Sequence, residues 1–147
     1  VKTNSVIRFA KTKIAEVDTQ AAPYDDARLL LDIDDVIQEL AVRSVPGFDG
    51  YAIDVEEPDP DDAVVPEMTS QHGLIVAYLV ACARLQESYI TRMNRGELGI
   101  SWTSGLESES TVSAAKAYQG LIATLRQQAN ELLIHEQMQR TQGARIY

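Results

Sequence analysis

The chain has 147 residues, 45% of them hydrophobic and 24% charged, with 13 Lys and Arg against 22 Asp and Glu for a net charge of −9. This is the size and make-up of one globular domain, since single cores run to about 100–200 residues, and it excludes a disordered chain. The negative balance argues against a dedicated nucleic-acid clamp, which needs basic side chains to exchange counterions with phosphates. The one cysteine, Cys82, excludes an internal disulfide.

In chain order, the first predicted helix covers Asn4 to Val17, where Ile7, Ala10, Ile14 and Val17 fall on one face and Asn4 or Ser5 offers a cap. Lys2, Arg8, Lys11 and Lys13 make this region basic, but no apolar run follows them, so no secretory signal is expected. After a break at Gln20-Ala21-Ala22-Pro23, Asp25 caps a second helix to about Val42, striped by Leu30, Ile33, Ile37 and Leu40 and ended by Pro46-Gly47. From Gly47 to Val65 the helical period is lost. Tyr51 to Val55 alternates enough for a short strand, and Glu56 to Asp62 reads as a solvated acidic elbow that does not pack.

Pro66 and Glu67 suit the first turn of a third helix, because proline lacks the donor that would be orphaned there and a carboxylate favours the positive helix end. Leu74 to Ala83 is apolar on all sides and predicts the buried central helix, yet it is too short for a membrane span of about 20 residues. The protein is therefore expected to be soluble, and cytosolic at synthesis. Gly96 and Gly99 stop this helix, and a Ser/Thr/Gly loop with the lone Trp102 follows. Ser108 or Ser110 then caps a long fourth helix, whose Tyr118, Leu121, Ile122, Leu125, Ala129, Leu132 and Leu133 form the cleanest stripe in the chain. Past Glu136 there is no further acid and Gly143 interrupts the pattern, so a helical domain over 1–136 and an extended, mobile tail over 137–147 are expected.

Catalytic chemistry finds little to rest on. The two histidines, His72 and His135, are 63 positions apart and read as surface or helix-end residues, while Cys82 sits in the most hydrophobic turn and reads as a small core residue. Among Asp32, Asp34, Asp35 and Glu39, only Asp35 and Glu39 share a helix face, the mark of a solvated face and not of a metal site. The loop from Asp54 to Asp62 lacks the ligand order of a calcium loop, and no glycine-rich phosphate cradle occurs. No catalytic, cofactor-binding or metal-ligating residues are expected, and no enzyme. What the sequence does offer is a basic first helix, seven carboxylates (Asp49, Asp54, Glu56, Glu57, Asp59, Asp61 and Asp62) in one loop, and a mildly basic end, a distribution suited to contacts between unlike surfaces of neighbouring subunits.

The order of the elements adds to this. A short helix leads into Tyr24-Asp25-Asp26-Ala27-Arg28-Leu29-Leu30-Leu31-Asp32-Ile33-Asp34-Asp35-Val36-Ile37, then a proline-bearing loop, then a hydrophobic helix with Ala77-Tyr78-Leu79-Val80-Ala81-Cys82-Ala83-Arg84. Ser104-Gly105-Leu106-Glu107-Ser108-Glu109-Ser110-Thr111 opens the long helix with Ala117-Tyr118. From Asn4 to Leu133 this resembles the head-tail connector adaptors of tailed bacteriophages, although Tyr24-Asp25-Asp26 and Ile33-Asp34-Asp35 stand where many of them carry a Trp-plus-acid turn and Trp-Leu-Asn.

The resemblance implies a mainly α, four-helix bundle-like adaptor with a short β-hairpin or extended loop and a flexible C-terminal tail. Such an adaptor forms a homo-oligomeric ring beneath the portal protein, in the neck of the virion after assembly in the host cytoplasm. Its tail, here Arg140, Gly143, Ala144, Arg145, Ile146 and Tyr147, would bind the portal, and its far side would present a platform for the next neck or tail protein. Double-stranded DNA would pass through the ring without specific binding, with the acidic loop facing the lumen or a neighbouring subunit; no cofactor and no membrane are involved. The competing reading is a small helical protein–protein interaction or regulatory module, with Phe48, Tyr51, Trp102 and Leu106 as its recognition patch.

Overall fold

Apolar positions recurring every three or four residues wind the chain into long helices around one shared core. The computed structural model describes residues 1–17, 25–96 and 109–145, with the side chains of 114–138 in the last segment. Helix α1 (Thr3–Ala15) is followed by α2 (Asp26–Val42), a 3-10 turn (Phe48–Gly50), strand β1 (Ala52–Ile53), the single turn α3 (Pro60–Ala63), strand β2 (Val64–Val65), and the long helices α4 (Ser70–Asn94) and α5 (Glu109–Arg145). The fold is mainly α and bundle-like with one short hairpin, as the patterning predicts. In that hairpin β1 and β2 run antiparallel, Ala52 opposite Val65 and Ile53 opposite Val64.

Helix α4 is the central element. It packs on α1, α2 and α5, which is why its Ile75, Val76, Ala77, Val80, Ala81, Cys82 and Leu85 are all buried. Burial, against a weaker pull from Arg126, pushes the Cys82 thiol up to about 11, so it stays protonated and inert, as a core residue should. Helix α5 lies antiparallel to α4: Gln119 donates to the Tyr89 hydroxyl (2.9 Å) near one end of the pair, and Gln71 donates to the Leu132 carbonyl (3.3 Å) near the other. Its buried seam is Tyr118, Ile122, Leu125, Ala129 and Leu133, with Leu121 and Leu132 half-buried beside it. Asp25 caps α2 by accepting the Arg28 N–H at 2.7 Å, and Gly96 ends α4 with a φ of 75°, a left-handed cap that glycine adopts without strain.

Four expectations are corrected. Helix α1 begins earlier than Asn4, with Lys2 at the cap position and no side-chain cap of its own; the Asn4 N–H is taken by the Asp61 carboxylate instead (3.0 Å). The acidic elbow therefore does pack. Asp59 caps α3 through the Asp61 N–H, α3 lies against α1, and Ala63 is buried. Helix α4 does not start at Pro66, because the β-branched Val64 and Val65 are still paired in the hairpin and a residue before proline is held extended. It starts at Ser70, where Thr69 accepts the His72 N–H. Finally, the backbone from 137 on is not an extended tail: α5 continues through Arg140, Gly143 and Ala144 to Arg145. Ile146, Tyr147, Trp102, Leu106 and the loop at 99–105 lie outside the described residues.

Candidate functional site: the hairpin and the exit of the last helix

The seven carboxylates of the loop fall into two groups. Asp54, Asp59 and Asp61 are spent on local structure, accepting the backbone N–H groups of Glu56, Asp61 and Asn4 respectively at 3.0 Å each. The bond from Asn4, more than any nearby charge, holds the Asp61 carboxyl below the usual carboxylate range. Asp49, Glu56 and Asp62 are exposed and Glu57 is half-buried, and with the exposed Asp54 and Asp59 they make the outer surface of the loop acidic. The basic residues of α1 do not stand apart from this loop. Lys2, Arg8 and Lys11 share a polar cleft of about 440 Å³ with Asp26 and Asp61, and Lys11 pairs with Asp26 at 2.6 Å.

Where α5 leaves the bundle, three side chains far apart in sequence meet. His72, in the first turn of α4, is 5% exposed and stacks on the buried Phe48 ring at 4.2 Å between centroids. Its Nε2 lies 3.0 Å from Oε1 of Glu136 on α5, and its Nδ1 lies 2.7 Å from the hydroxyl of Tyr51, the residue before β1. An ionised carboxylate only accepts, so Nε2–H donates to Glu136, and Nδ1 and the Tyr51 hydroxyl share the second bond. Burial pushes the Tyr51 hydroxyl above its ordinary value, so it keeps its proton. The tyrosine oxygen in turn accepts the Thr69 N–H at 3.4 Å.

The sequence reading missed this cluster. His72 is a core histidine and not a surface or helix-end residue, and Phe48, assigned to an exposed recognition patch, is 1% exposed. His135, as expected, faces outward. Asp32 is a further correction: it is 5% exposed, with Oδ2 2.6 Å from Nε of the equally buried Arg84 on α4, while Asp35 and Glu39 keep the expected exposed positions. The one available signal was the spacing itself. Asp32 falls one residue before the core position Ile33, on the flank of the buried stripe rather than opposite it.

Compared with protein-family models, curated proteins and solved structures, the chain has no match. The site must be read from its own geometry. Among the described residues no three His, Cys, Asp or Glu side chains are grouped to hold a metal ion, and no helix is long and apolar enough to cross a membrane. What the geometry does provide is a helix that outlasts its neighbour. Glu136 is level with His72 near the beginning of α4, so residues 137–145 of α5 run on past that end of the bundle, a reach of about 13 Å at 1.5 Å per residue. Ile134 and Met138, one turn apart at this exit, are more than half exposed.

Proposed function

We propose that the chain is a structural, non-enzymatic adaptor of a phage neck: a subunit of a ring beneath the portal that attaches through the end of α5 and offers a platform to the next neck or tail protein. The observation that carries this reading is the run of α5 beyond the level where Glu136 and the hairpin's Tyr51 both meet His72. An interaction protein needs a segment that reaches past its own core, and here the reaching segment includes Arg140, Gly143, Ala144 and Arg145. The exposed acids of the hairpin support the passage of DNA, because a wall that neutralised phosphates would gain counterion-release affinity and slow it. The order of elements, from the short first helix to the long last one, supports the same assignment.

The experiment is co-sedimentation of purified protein with portal assemblies, comparing the full chain with one lacking Gly143–Tyr147. The shortened chain is expected to remain folded and monodisperse and to lose portal binding. Undiminished binding would rule out attachment through this segment.

A further inference from the structure

We infer that Tyr51, His72 and Glu136 form a two-ended latch, through which the hold on α5 at its exit and the hold on the acidic hairpin are made or lost together. The hydrogen-bonded route between these two elements runs through one side chain: Tyr51 before β1 and Glu136 on α5 each bond to a different nitrogen of the same imidazole. The two bonds hold the one ring from opposite sides, so each positions it for the other. Glu136 can only accept, so it holds a proton on Nε2 and orients the ring with Nδ1 toward the Tyr51 hydroxyl. Without the carboxylate, the ring loses the bond that fixes its orientation, and with it the geometry of the Tyr51 bond.

The surroundings make the bonds matter. His72 and Phe48 are buried and stacked, so a ring nitrogen that loses its partner is left in an apolar setting with little water to replace it. The groups facing the imidazole come from four elements: Glu136 from α5, Tyr51 from the hairpin, Phe48 from the 3-10 turn and the capping Thr69 from the start of α4. A displacement of α5 at Glu136 therefore reaches the hairpin through the imidazole. On the adaptor reading, on which this consequence rests, a partner that draws the end of α5 off the bundle also loosens the hairpin and frees its carboxylates for a neighbouring subunit. Attachment would then precede contact between subunits.

The test uses the full chain alone and needs no partner. Amide hydrogen exchange is followed over 52–65 and 128–138 in Tyr51→Phe, Glu136→Ala and the double variant. Each single change is expected to speed exchange in both segments by roughly five- to tenfold, the worth of one hydrogen bond, with α2 unchanged and the double variant no faster than either single one. Effects confined to the mutated element, or multiplying in the double variant, would overturn the latch. If Glu136→Ala unfolds throughout, Glu136→Gln, whose amide oxygen still accepts from Nε2, decides: it should retain protection in both segments, with the ¹⁵N spectrum showing His72 protonated on Nε2. Loss of protection in only one segment, or an Nε2 without a proton, sinks the proposal. Because portal binding is measured separately, failure of the latch and failure of the adaptor reading give different results.

Discussion

Asp32 and Arg84 sit at the contact of α2 with α4, where two ionised groups have given up most of their water. They belong to a closed ring of alternating charge: Arg28 to Asp32 at 3.9 Å, Asp32 to Arg84 at 2.6 Å, Arg84 to Glu87 at 2.6 Å and Glu87 back to Arg28 at 3.5 Å. The central contact is a close ion pair without hydrogen-bond alignment, so desolvation is offset by attraction alone. Burial raises the Asp32 carboxyl above its ordinary value, against the pull of Arg84 and Arg28. A folded-state value above the unfolded one means that the native protein binds the proton more tightly, so this group's contribution to stability declines as pH rises upward from about 3.8. Removing one partner strands the other. Arg84→Met is expected to cost ~3–5 kcal/mol in urea unfolding, whereas Asp32→Leu with Arg84→Met should lie within ~1 kcal/mol of the parent, because an apolar pair needs no compensation. A double variant as unstable as the single one would show that the ring stabilises the fold beyond mutual compensation.

At the scale of elements, the tether between the acidic hairpin and α1 has a distinct signature. Asp61 supplies the acceptor that α1 lacks at its own start, so Asp61→Ala should lower the melting temperature at neutral pH, while Asp61→Asn, which keeps an oxygen acceptor, should lower it less. The Asp61 carboxyl is held below its ordinary value, so its contribution is present above the unfolded value of 3.8 and is lost as pH falls through the lower folded value. Melting temperatures of the parent and the alanine variant should therefore converge in strong acid; a constant gap would mean that the bond does not depend on the charge. This tether also shows where sequence was legible. Helix α2 and the core of α5 could be read because their signals are local, a cap at Asp25 and a stripe from Tyr118 to Leu133. The start of α1, the start of α4 and the burial of His72 and Asp32 could not, because each is set by a partner from elsewhere: Asp61 57 residues after Asn4, the Ala52–Ile53 strand across from Val64–Val65, Glu136 64 residues after His72, and Arg84 on another helix. The cluster at the exit of α5 was invisible for the same reason, since neither Tyr51 nor Glu136 carries a motif.

For the molecule as a whole, the end of the packed structure and the end of the last helix fall at different places. Helical backbone continues to Arg145, whereas Leu133 is the last buried seam residue among the described side chains, and Glu136 bonds to His72 one turn further on. Helix propensity alone does not stabilise a short projecting segment in water, and Met138, the last residue whose side chain is described, is more than half exposed. A chain ending at Gln137 should therefore unfold within about 0.5 kcal/mol of the full chain, the range of changes that touch no packed group, while losing far-ultraviolet helix signal in proportion to the residues removed. A chain ending at Glu131 loses Leu133 from the core and the partner of His72, and should be less stable by at least ~2–5 kcal/mol, the cost of emptying one buried leucine site. Comparable stability of the full chain and both truncations would mean that the α4–α5 seam ends before Leu133. A marked loss at Gln137 would mean that residues beyond it pack on the bundle, and then the end of α5 is part of the core and not a reaching arm.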